Sequence, residues 1–327
     1  YRPELAALMS AAKIDLSQEL GHSELFDLEV LSEYLFAYFP ESVAERFRDD
    51  ILNHPLAINI GRTMLTNDIV SDAGGTWLAE TALRTGRPTG EIVQAYLRAR
   101  ELMDAYRLKR AVDAIETQLD AATEYRLRLT IEGAIEAHCN WLLRLGADIP
   151  AGYAKTFKES LRSLPQALET ADADTLKQEA SELHAAAVPE ELAATIVVLE
   201  RVDDAIDVAY VATRHHESIE RASHALQHVG KTTGLHRLLA AALESHGETL
   251  LDRPARDTLR EQLRHHLIDV SARVLSRETE LKNISHATST WLNAIRSDLE
   301  PLLPDGRELA NLVIAVDRVA RRLQMTP

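Results

Sequence analysis

The sequence predicts an all-α protein, a helical array without a β-sheet. Helix-favouring Ala, Leu, Glu and Arg are abundant, whereas aromatic residues make up only 5% of the chain. Apolar residues recur at spacings of three and four, which places them on one face of a helix. Runs of alternating β-branched residues, which are typical of strands, do not occur in the sequence.

Proline and glycine divide the first part of the chain into helices. We predict helix one over residues 3–20, because Gly21 can adopt the left-handed conformation that ends a helix. Helix two runs from residue 24 to 40, and helix three ends near Asn53, where Pro55 forces a new start.

Glycines also delimit the fourth helix and the short helix after it. We predict that helix four ends at Gly74 and Gly75. Thr76 can then cap a short helix, which ends at Gly86.

Three further helices are predicted before the first interruption of the chain. Helix six carries a seam spaced 4, 3, 4 and 3, formed by Ile92, Tyr96, Ala99, Met103 and Tyr106. That spacing is typical of a buried helix face rather than a cofactor box. Helix seven covers residues 108–119, and helix eight ends at Leu145. Gly146 and Pro150 then mark a predicted boundary between two halves.

The second half repeats the apolar pattern of the first half. Positions 219, 222, 226 and 229 echo positions 92, 95, 99 and 102 at an offset of 127 (219 − 92), and the stripe from Leu259 echoes that from Leu127 at 132 (259 − 127). We therefore predict a duplicated unit of three to four helices. The predicted parts are a first helical half at 1–146, connecting helices at 147–188, and a second helical half at 189–327. Two helices around Trp291 and Leu312 close the second half.

Composition limits the classes of partner that the chain can bind. A net charge of −15 disfavours nucleic-acid binding, which needs a positive surface. No apolar run is long enough to span a membrane. The single cysteine, Cys139, excludes an internal disulfide and fits a reducing, cytoplasmic compartment. No signal peptide is visible, and we interpret the chain as a piece of a longer polypeptide.

Two motifs invite a chemical interpretation. Gly230-Lys231-Thr232 resembles the end of a phosphate-binding loop, but Ala225 occupies the position of the first glycine and lies in a predicted helix. A helix end at Gly230 or Gly234 is the simpler interpretation. The spacing of His216, Glu220, His224 and His228 places them on one helix face. Such a stripe could bind zinc, although a solvated polar face is the commoner outcome.

Other candidates have structural explanations. His138 lies in an apolar stripe, and no activating base accompanies Cys139, so we interpret both as core residues. The pair Gly74 and Gly75 follows a helix rather than a strand, unlike a dinucleotide-binding loop. The sequence therefore predicts no catalytic, cofactor-binding or metal-binding residue in this chain.

Several stretches together resemble one protein family. They are Arg2-Pro3-Glu4-Leu5-Ala6, Tyr34-Leu35-Phe36-Ala37-Tyr38-Phe39-Pro40, His54-Pro55-Leu56, Asn67-Asp68-Ile69-Val70, Gly74-Gly75-Thr76, Ala95-Tyr96, Ala99-Arg100-Glu101, Pro189-Glu190-Glu191-Leu192-Ala193 and Asn311-Leu312-Val313-Ile314-Ala315. The chain resembles the large bacterial NAD-specific glutamate dehydrogenases, in the helical region after their catalytic domain. The resemblance covers nearly the whole chain and is most specific over residues 2–143.

The resemblance implies a function for a parent chain. Such enzymes oxidise L-glutamate to 2-oxoglutarate and ammonia and reduce NAD. Their catalytic and NAD-binding residues belong to the upstream catalytic domain, and no position here matches those motifs. We therefore expect an inactive region that supports this catalytic domain, with helix one packed on it, or that forms contacts in a homo-oligomer.

Two alternatives belong to other classes of protein. One is a free-standing helical-repeat interaction scaffold, which an upstream glutamate dehydrogenase coding region would exclude. The other is a metal-dependent helical enzyme that uses the stripe from His216 to His228, which metal analysis of the purified chain would test.

Overall fold

The all-α class is confirmed by the structure. The computed structural model describes residues 26–74, 76–167, 170–243 and 252–325, together with residues 13, 16–18 and 20. Within these residues the regular secondary structure is entirely helical. The predicted helix one lies mostly outside the described residues, as does its predicted end at Gly21.

The chain forms two compact units. The N-terminal unit comprises Tyr1–Glu116 and Glu124–Asp148, and the C-terminal unit comprises Thr117–Thr123 and Ile149–Pro327. The predicted three-part division at residues 146 and 188 stays a prediction, and the internal duplication is not confirmed.

The N-terminal unit is a series of helices with short connections. They are α1 (Leu28–Ala37), α2 (Glu41–Arg46), α3 (Arg48–Leu52), α4 (Ala57–Ala73), α5 (Trp77–Thr85), α6 (Thr89–Leu102), α7 (Ala105–Asp113) and α8 (Ala121–Leu145). The carboxylate of Asp27 accepts a hydrogen bond from the Val30 backbone N–H at 3.0 Å. This cap explains why α1 begins at Leu28, later than the sequence predicts.

Helices α1 and α4 pack closely because one position between them lacks a side chain. A Cβ atom at Gly61 would lie 2.9 Å from the Cβ of Leu31. Leu31 and Leu65 are fully buried on these two helices. The glycine therefore permits a backbone approach that any other residue would oppose.

The predicted seam of helix six is correct for four of its five residues. Ile92, Tyr96, Ala99 and Met103 are buried, but Tyr106 is 66% exposed. The helix ends at Leu102, and Asp104 adopts a left-handed conformation with φ of 53°. Helix α7 then starts in a new direction, so the spacing of three and four no longer holds at Tyr106.

The C-terminal unit contains the remaining long helices. They are α9 (Tyr153–Ala167), α10 (Thr170–Ala185), α11 (Glu190–Leu199), α12 (Val202–His215), α13 (Ile219–Thr233), α14 (Leu235–Leu243), α15 (Asp252–Arg277), α16 (His286–Leu299) and α17 (Leu309–Gln324). Helix α12 packs on α9 and α13, and α15 packs on α13, α14 and α17. The two closing helices predicted around Trp291 and Leu312 are confirmed.

Candidate functional site

The predicted stripe of four residues on one helix face forms without its first member, His216. His216 lies after α12 in a left-handed conformation, with φ of 55°. Helix α13 begins only at Ile219, and the Ser218 hydroxyl caps it by accepting a hydrogen bond from the Arg221 backbone N–H. His216 therefore does not belong to the helix that carries Glu220, and the prediction was wrong for this residue.

The other members of that stripe lie on α13. Glu220 and His224 are exposed, and His228 is half-buried. Burial lowers the pKa of His228, and the nearby His224 lowers it further. Among the residues that the structure describes, no three His, Cys, Asp or Glu side chains are grouped so that they could hold a metal ion.

Gly230-Lys231-Thr232 lies inside α13 rather than in a loop after a strand. A Cβ atom at Gly230 would lie 2.2 Å from the imidazole ring of His236. Because Gly230 has no side chain, the imidazole ring of His236 can pack against the backbone of α13 at this position. The helix ends at Gly234, which has a φ of 83°, and this helix end was one of the two predicted.

His138 and Cys139 are both fully buried in α8. The Cys139 thiol faces the Ile92 carbonyl oxygen, with Sγ and O 3.8 Å apart. Burial raises the pKa of this thiol to about 12, which keeps it protonated at neutral pH. This environment suits packing rather than nucleophilic chemistry.

Arg100 is the centre of an ion-pair network in the N-terminal unit, which we call the Arg100 network. Its guanidinium Nη1 lies 2.6 Å from Asp68 Oδ2 and 3.0 Å from Asp72 Oδ2. Its Nη2 donates a hydrogen bond to the Tyr34 hydroxyl at 3.2 Å. One arginine on α6 is thus connected to α4 and α1.

Lys109 extends this network to two more helices. Its Nζ atom lies 2.7 Å from Asp72 Oδ2 and 2.5 Å from Glu132 Oε1. The Tyr96 hydroxyl donates to the other oxygen of Glu132 at 3.2 Å. Burial raises the pKa of Glu132, although Lys109 acts in the opposite direction. The Arg100 network therefore joins α1, α4, α6, α7 and α8.

A second network surrounds Arg264 in the C-terminal unit, and we call it the Arg264 network. Both oxygens of Asp207 accept hydrogen bonds from this guanidinium, at 3.2 Å from Nε and 2.6 Å from Nη2. Nη1 donates to Asp203 at 2.9 Å and to Glu261 at 3.2 Å. Arg260 pairs with the other oxygen of Asp203. The fork of Arg264 thus ties α15 to α12.

The central pair of the Arg264 network is buried, whereas Asp203 and Glu261 at its edge are 25% and 33% exposed. The side chain of Arg264 is 4% exposed and that of Asp207 is 8% exposed. Burial raises the pKa of Asp207 to about 6, and the charge of Arg264 partly opposes that increase. Burial disfavours the charge on Arg264 as well, but Asp207 and Glu261 together raise its pKa and keep it charged.

Neither network was predicted from the sequence. A signal for the Arg264 network is present in the sequence. Asp203 and Asp207 are four apart on one helix, and Arg260 and Arg264 are four apart on another. Complementary pairs with the same spacing on two amphipathic helices can meet across their interface.

Each unit also has a recess on its surface. The recess in the N-terminal unit has a volume of about 620 Å³ between α1, α6 and the start of α7, and we call it the α1–α6 groove. Val30, Tyr34, Leu97, Arg98 and Tyr106 contribute to its lining. A smaller cavity of about 300 Å³ lies in the C-terminal unit beside Asp207 and Ser223.

In the part of the chain that the structure describes, no helix is sufficiently long and apolar to cross a membrane.

The described residues thus define an all-helical scaffold in which structural ion pairs occupy the polar interior. A family model described as "Glutamate dehydrogenase, C-terminal" matches residues 1–310. The chain belongs to this family.

Three curated proteins illustrate the similarity, and all are named NAD-specific glutamate dehydrogenase. The chain is 23% identical to that of Halomonas elongata over 89% of its own length, and 31% identical to that of Mycobacterium tuberculosis over 58%. It is 28% identical to that of Pseudomonas aeruginosa over 44%. The matches cover 18%, 12% and 9% of these relatives, so the chain spans less than a fifth of their length.

Proposed function

We propose that this chain is the non-catalytic C-terminal helical part of an NAD-dependent glutamate dehydrogenase. The parent enzyme would oxidatively deaminate L-glutamate to 2-oxoglutarate and ammonia, with reduction of NAD, in the cytoplasm. The observation that carries the proposal is the match of a C-terminal glutamate dehydrogenase model to residues 1–310. The names of the relatives supply the reaction.

In this proposal NAD and glutamate bind outside the chain. The most deeply buried ion pair of its described part, Arg264 with Asp207, is engaged internally. Such paired groups stabilise a fold and offer little chemistry to a substrate. The role left to the region is mechanical, because networks that join several helices resist their relative movement.

We assign contact with the rest of the parent enzyme to the α1–α6 groove. Val30 and Tyr106 at this groove are 42% and 66% exposed. Glu33, Arg98, Glu101 and Asp104 lie beside them. A recess that combines exposed apolar and aromatic side chains with charged ones is typical of a surface that packs against another protein domain. The occupant we propose is the catalytic domain of the same parent chain.

The test combines the purified 327-residue chain with a separately purified catalytic portion of the parent enzyme. We expect the two to associate in a sedimentation experiment, and we expect this association to change the rate at which the catalytic portion reduces NAD with glutamate. Absence of association, together with unchanged activity, would contradict the proposal. NAD reduction by the isolated chain would also contradict it.

Two tyrosines of equal exposure test whether the α1–α6 groove is the contact surface. Tyr106 is 66% exposed at the groove, and Tyr125 is 67% exposed on α8, outside the groove lining. We expect Tyr106→Ser to weaken association by about tenfold or more, as for an aromatic interface anchor. Tyr125→Ser should leave association unchanged. Equal effects of the two substitutions would exclude the groove as the contact surface.

A further inference from the structure

We propose that a recess between α13 and α16, which we call the α13–α16 recess, binds a small uncharged ligand with a carboxamide group. The recess lies in the C-terminal unit, and the proposal does not depend on the proposed function of the parent enzyme. It rests on the lining of the recess, on the hydrogen bonds that hold one of its walls and on the side chains available to a ligand.

The α13–α16 recess has a volume of about 390 Å³ and a mixed lining. His228 and Thr232 contribute to it from α13, and Ser289 and Asn293 contribute from α16. The two helices pack against each other. Leucine and isoleucine side chains complete the lining. Apolar walls with a few placed polar groups are typical of small-molecule sites.

Hydrogen bonds hold the third wall of the recess, which is the segment 278–285 between α15 and α16. Glu278 is 8% exposed, and its carboxylate accepts hydrogen bonds from the Ser285 backbone N–H at 2.9 Å and the Thr288 hydroxyl at 2.7 Å. Arg221 on α13 donates to the backbone carbonyl oxygen of Glu278 at 3.3 Å. The recess is therefore preformed, so a ligand does not have to order this wall when it binds.

The described lining of the recess contains no Asp, Glu, Lys or Arg. His228 is titratable and half-buried. Burial lowers the pKa of this imidazole, and the nearby His224 lowers it further, so the ring is uncharged at neutral pH. A charged ligand would lose water here without meeting an opposite charge, which costs more than burying an uncharged group. The lining therefore favours an uncharged ligand.

The two polar side chains from α16 are available to a ligand. Within the part of the chain that the structure describes, the Ser289 hydroxyl and the Asn293 carboxamide have no hydrogen-bond partner. By contrast, His228 and Thr232 face each other, with Nε2 and Oγ1 3.4 Å apart. The asparagine side chain presents an acceptor and donors in one plane. A ligand carboxamide has the same groups, so the two can form a pair of parallel hydrogen bonds.

The size of the recess and its apolar residues restrict the rest of the ligand. A volume of about 390 Å³ lies toward the lower end of small-molecule sites. Leu292 is fully buried, whereas Leu281 and Ile284 are partly exposed. These side chains offer an apolar surface to a flat ring. A ring that carries a carboxamide would therefore place the ring on this surface and the amide at Asn293.

The first test compares two probes of equal shape on the complete 327-residue chain. The probes are benzamide and benzoate, which differ in charge and in the ability to donate a hydrogen bond. We expect ligand-detected NMR and titration calorimetry at neutral pH to show saturable binding of benzamide and binding of benzoate at least about tenfold weaker. Equal or tighter binding of benzoate would overturn the proposal, and so would failure of benzamide to bind.

The second test exchanges the group that we assign to the ligand. Asn293 is exposed, so Asn293→Asp should leave the fold intact. The variant cannot donate to the ligand carbonyl, and we expect it to bind benzamide about tenfold more weakly. It should bind the cation benzamidine about tenfold more tightly than the unaltered chain does, because a carboxylate and an amidinium form two charge-assisted hydrogen bonds.

Ser297→Asp is the matched control for this exchange. Ser297 is exposed on α16, one turn beyond Asn293, and it does not line the recess. The control adds the same charge to the same helix and should leave the affinities for both probes unchanged. Unchanged affinities in Asn293→Asp, or the same gain for benzamidine in Ser297→Asp, would overturn the proposal.

Discussion

Arg100 and Arg264 are each the centre of an ion-pair network, one in each unit, but their side chains differ in exposure to solvent. Each joins helices through carboxylates, yet the Arg264 side chain is 4% exposed and the Arg100 side chain is 16% exposed. The most buried carboxylate in each network differs in the same sense, since Asp207 is 8% exposed and Asp72 is 21% exposed.

The comparison teaches that the solvent exposure of an ion pair decides how much the free energy of unfolding falls when one partner is removed. A carboxylate left without its partner in the Arg100 network can recover hydrogen bonds from water. The same carboxylate in the Arg264 network stays buried and uncompensated, which is far more unfavourable. Four measurements would sharpen or break this comparison.

The largest expected effect concerns Cys139 in the N-terminal unit, because the reaction rate of its thiol reports opening of the surrounding helices. Its pKa of about 12 exceeds the ordinary value of 9.0, so at pH 8 the folded thiol should react about a thousandfold more slowly than the unfolded one. The sign of the shift also means that stability declines as pH rises from about 9 to 12. Timed iodoacetamide labelling with and without urea measures the two reaction rates, and urea unfolding at increasing pH measures the decline in stability. Equal labelling rates in the two conditions would contradict the burial of the Cys139 thiol.

The second effect is the loss of Arg264. We expect Arg264→Met to lower the free energy of unfolding by about 3–5 kcal/mol, because Asp207 stays buried without its partner and must either keep an uncompensated charge or take up a proton. Urea unfolding measures the size of this loss. Hydrogen exchange should locate it, as faster exchange of the backbone amides of α12 and α15.

A double variant tests the cause of that loss. Arg264→Met with Asp207→Leu removes both buried charges and should recover much of the stability. If the double variant were as unstable as the single one, lost packing rather than an uncompensated charge would explain the effect.

A smaller effect is expected at the corresponding arginine of the N-terminal unit. Arg100→Met should cost about 1–3 kcal/mol, because Asp68 and Asp72 are 36% and 21% exposed and water can solvate them. Hydrogen exchange should again locate the loss, here as faster exchange of the backbone amides of α4 and α6. A loss equal to that in Arg264→Met would break the comparison.

The smallest effect concerns a hydrogen bond outside both networks. Asp27→Ala removes the cap of α1 and should cost about 1 kcal/mol, whereas Asp27→Asn should retain most of the stability. Thermal unfolding of the two variants measures the difference. Identical melting temperatures in the two variants would show that the cap contributes little.

The sequence predicted the helices well because their signals are local. Gly86 and Gly234 end α5 and α13 as expected, since left-handed glycines follow directly from residue type. The error at Tyr106 has a different origin. Asp104 is not glycine, yet it adopts a left-handed conformation between two helices, which no spacing rule reveals.

The features of the candidate site were harder to predict because they depend on contacts between distant residues. Arg264 and Asp207 are separated by 57 positions, and the matching four-residue spacing of the acidic and basic pairs becomes informative only when α12 and α15 are known to pack together. The histidine stripe failed for the opposite reason. Its spacing was correct, but the helix begins only after His216.

The contact between Gly230 and His236 has a consequence for how mutagenesis data on this protein are interpreted. A Cβ atom at Gly230 would overlap the imidazole ring, so even alanine should be rejected there. In a saturation mutagenesis experiment, this position beside Lys231 and Thr232 would look as intolerant as a nucleotide-binding glycine. The cause would be steric exclusion inside a helix pair, which shows that intolerance alone does not identify chemistry.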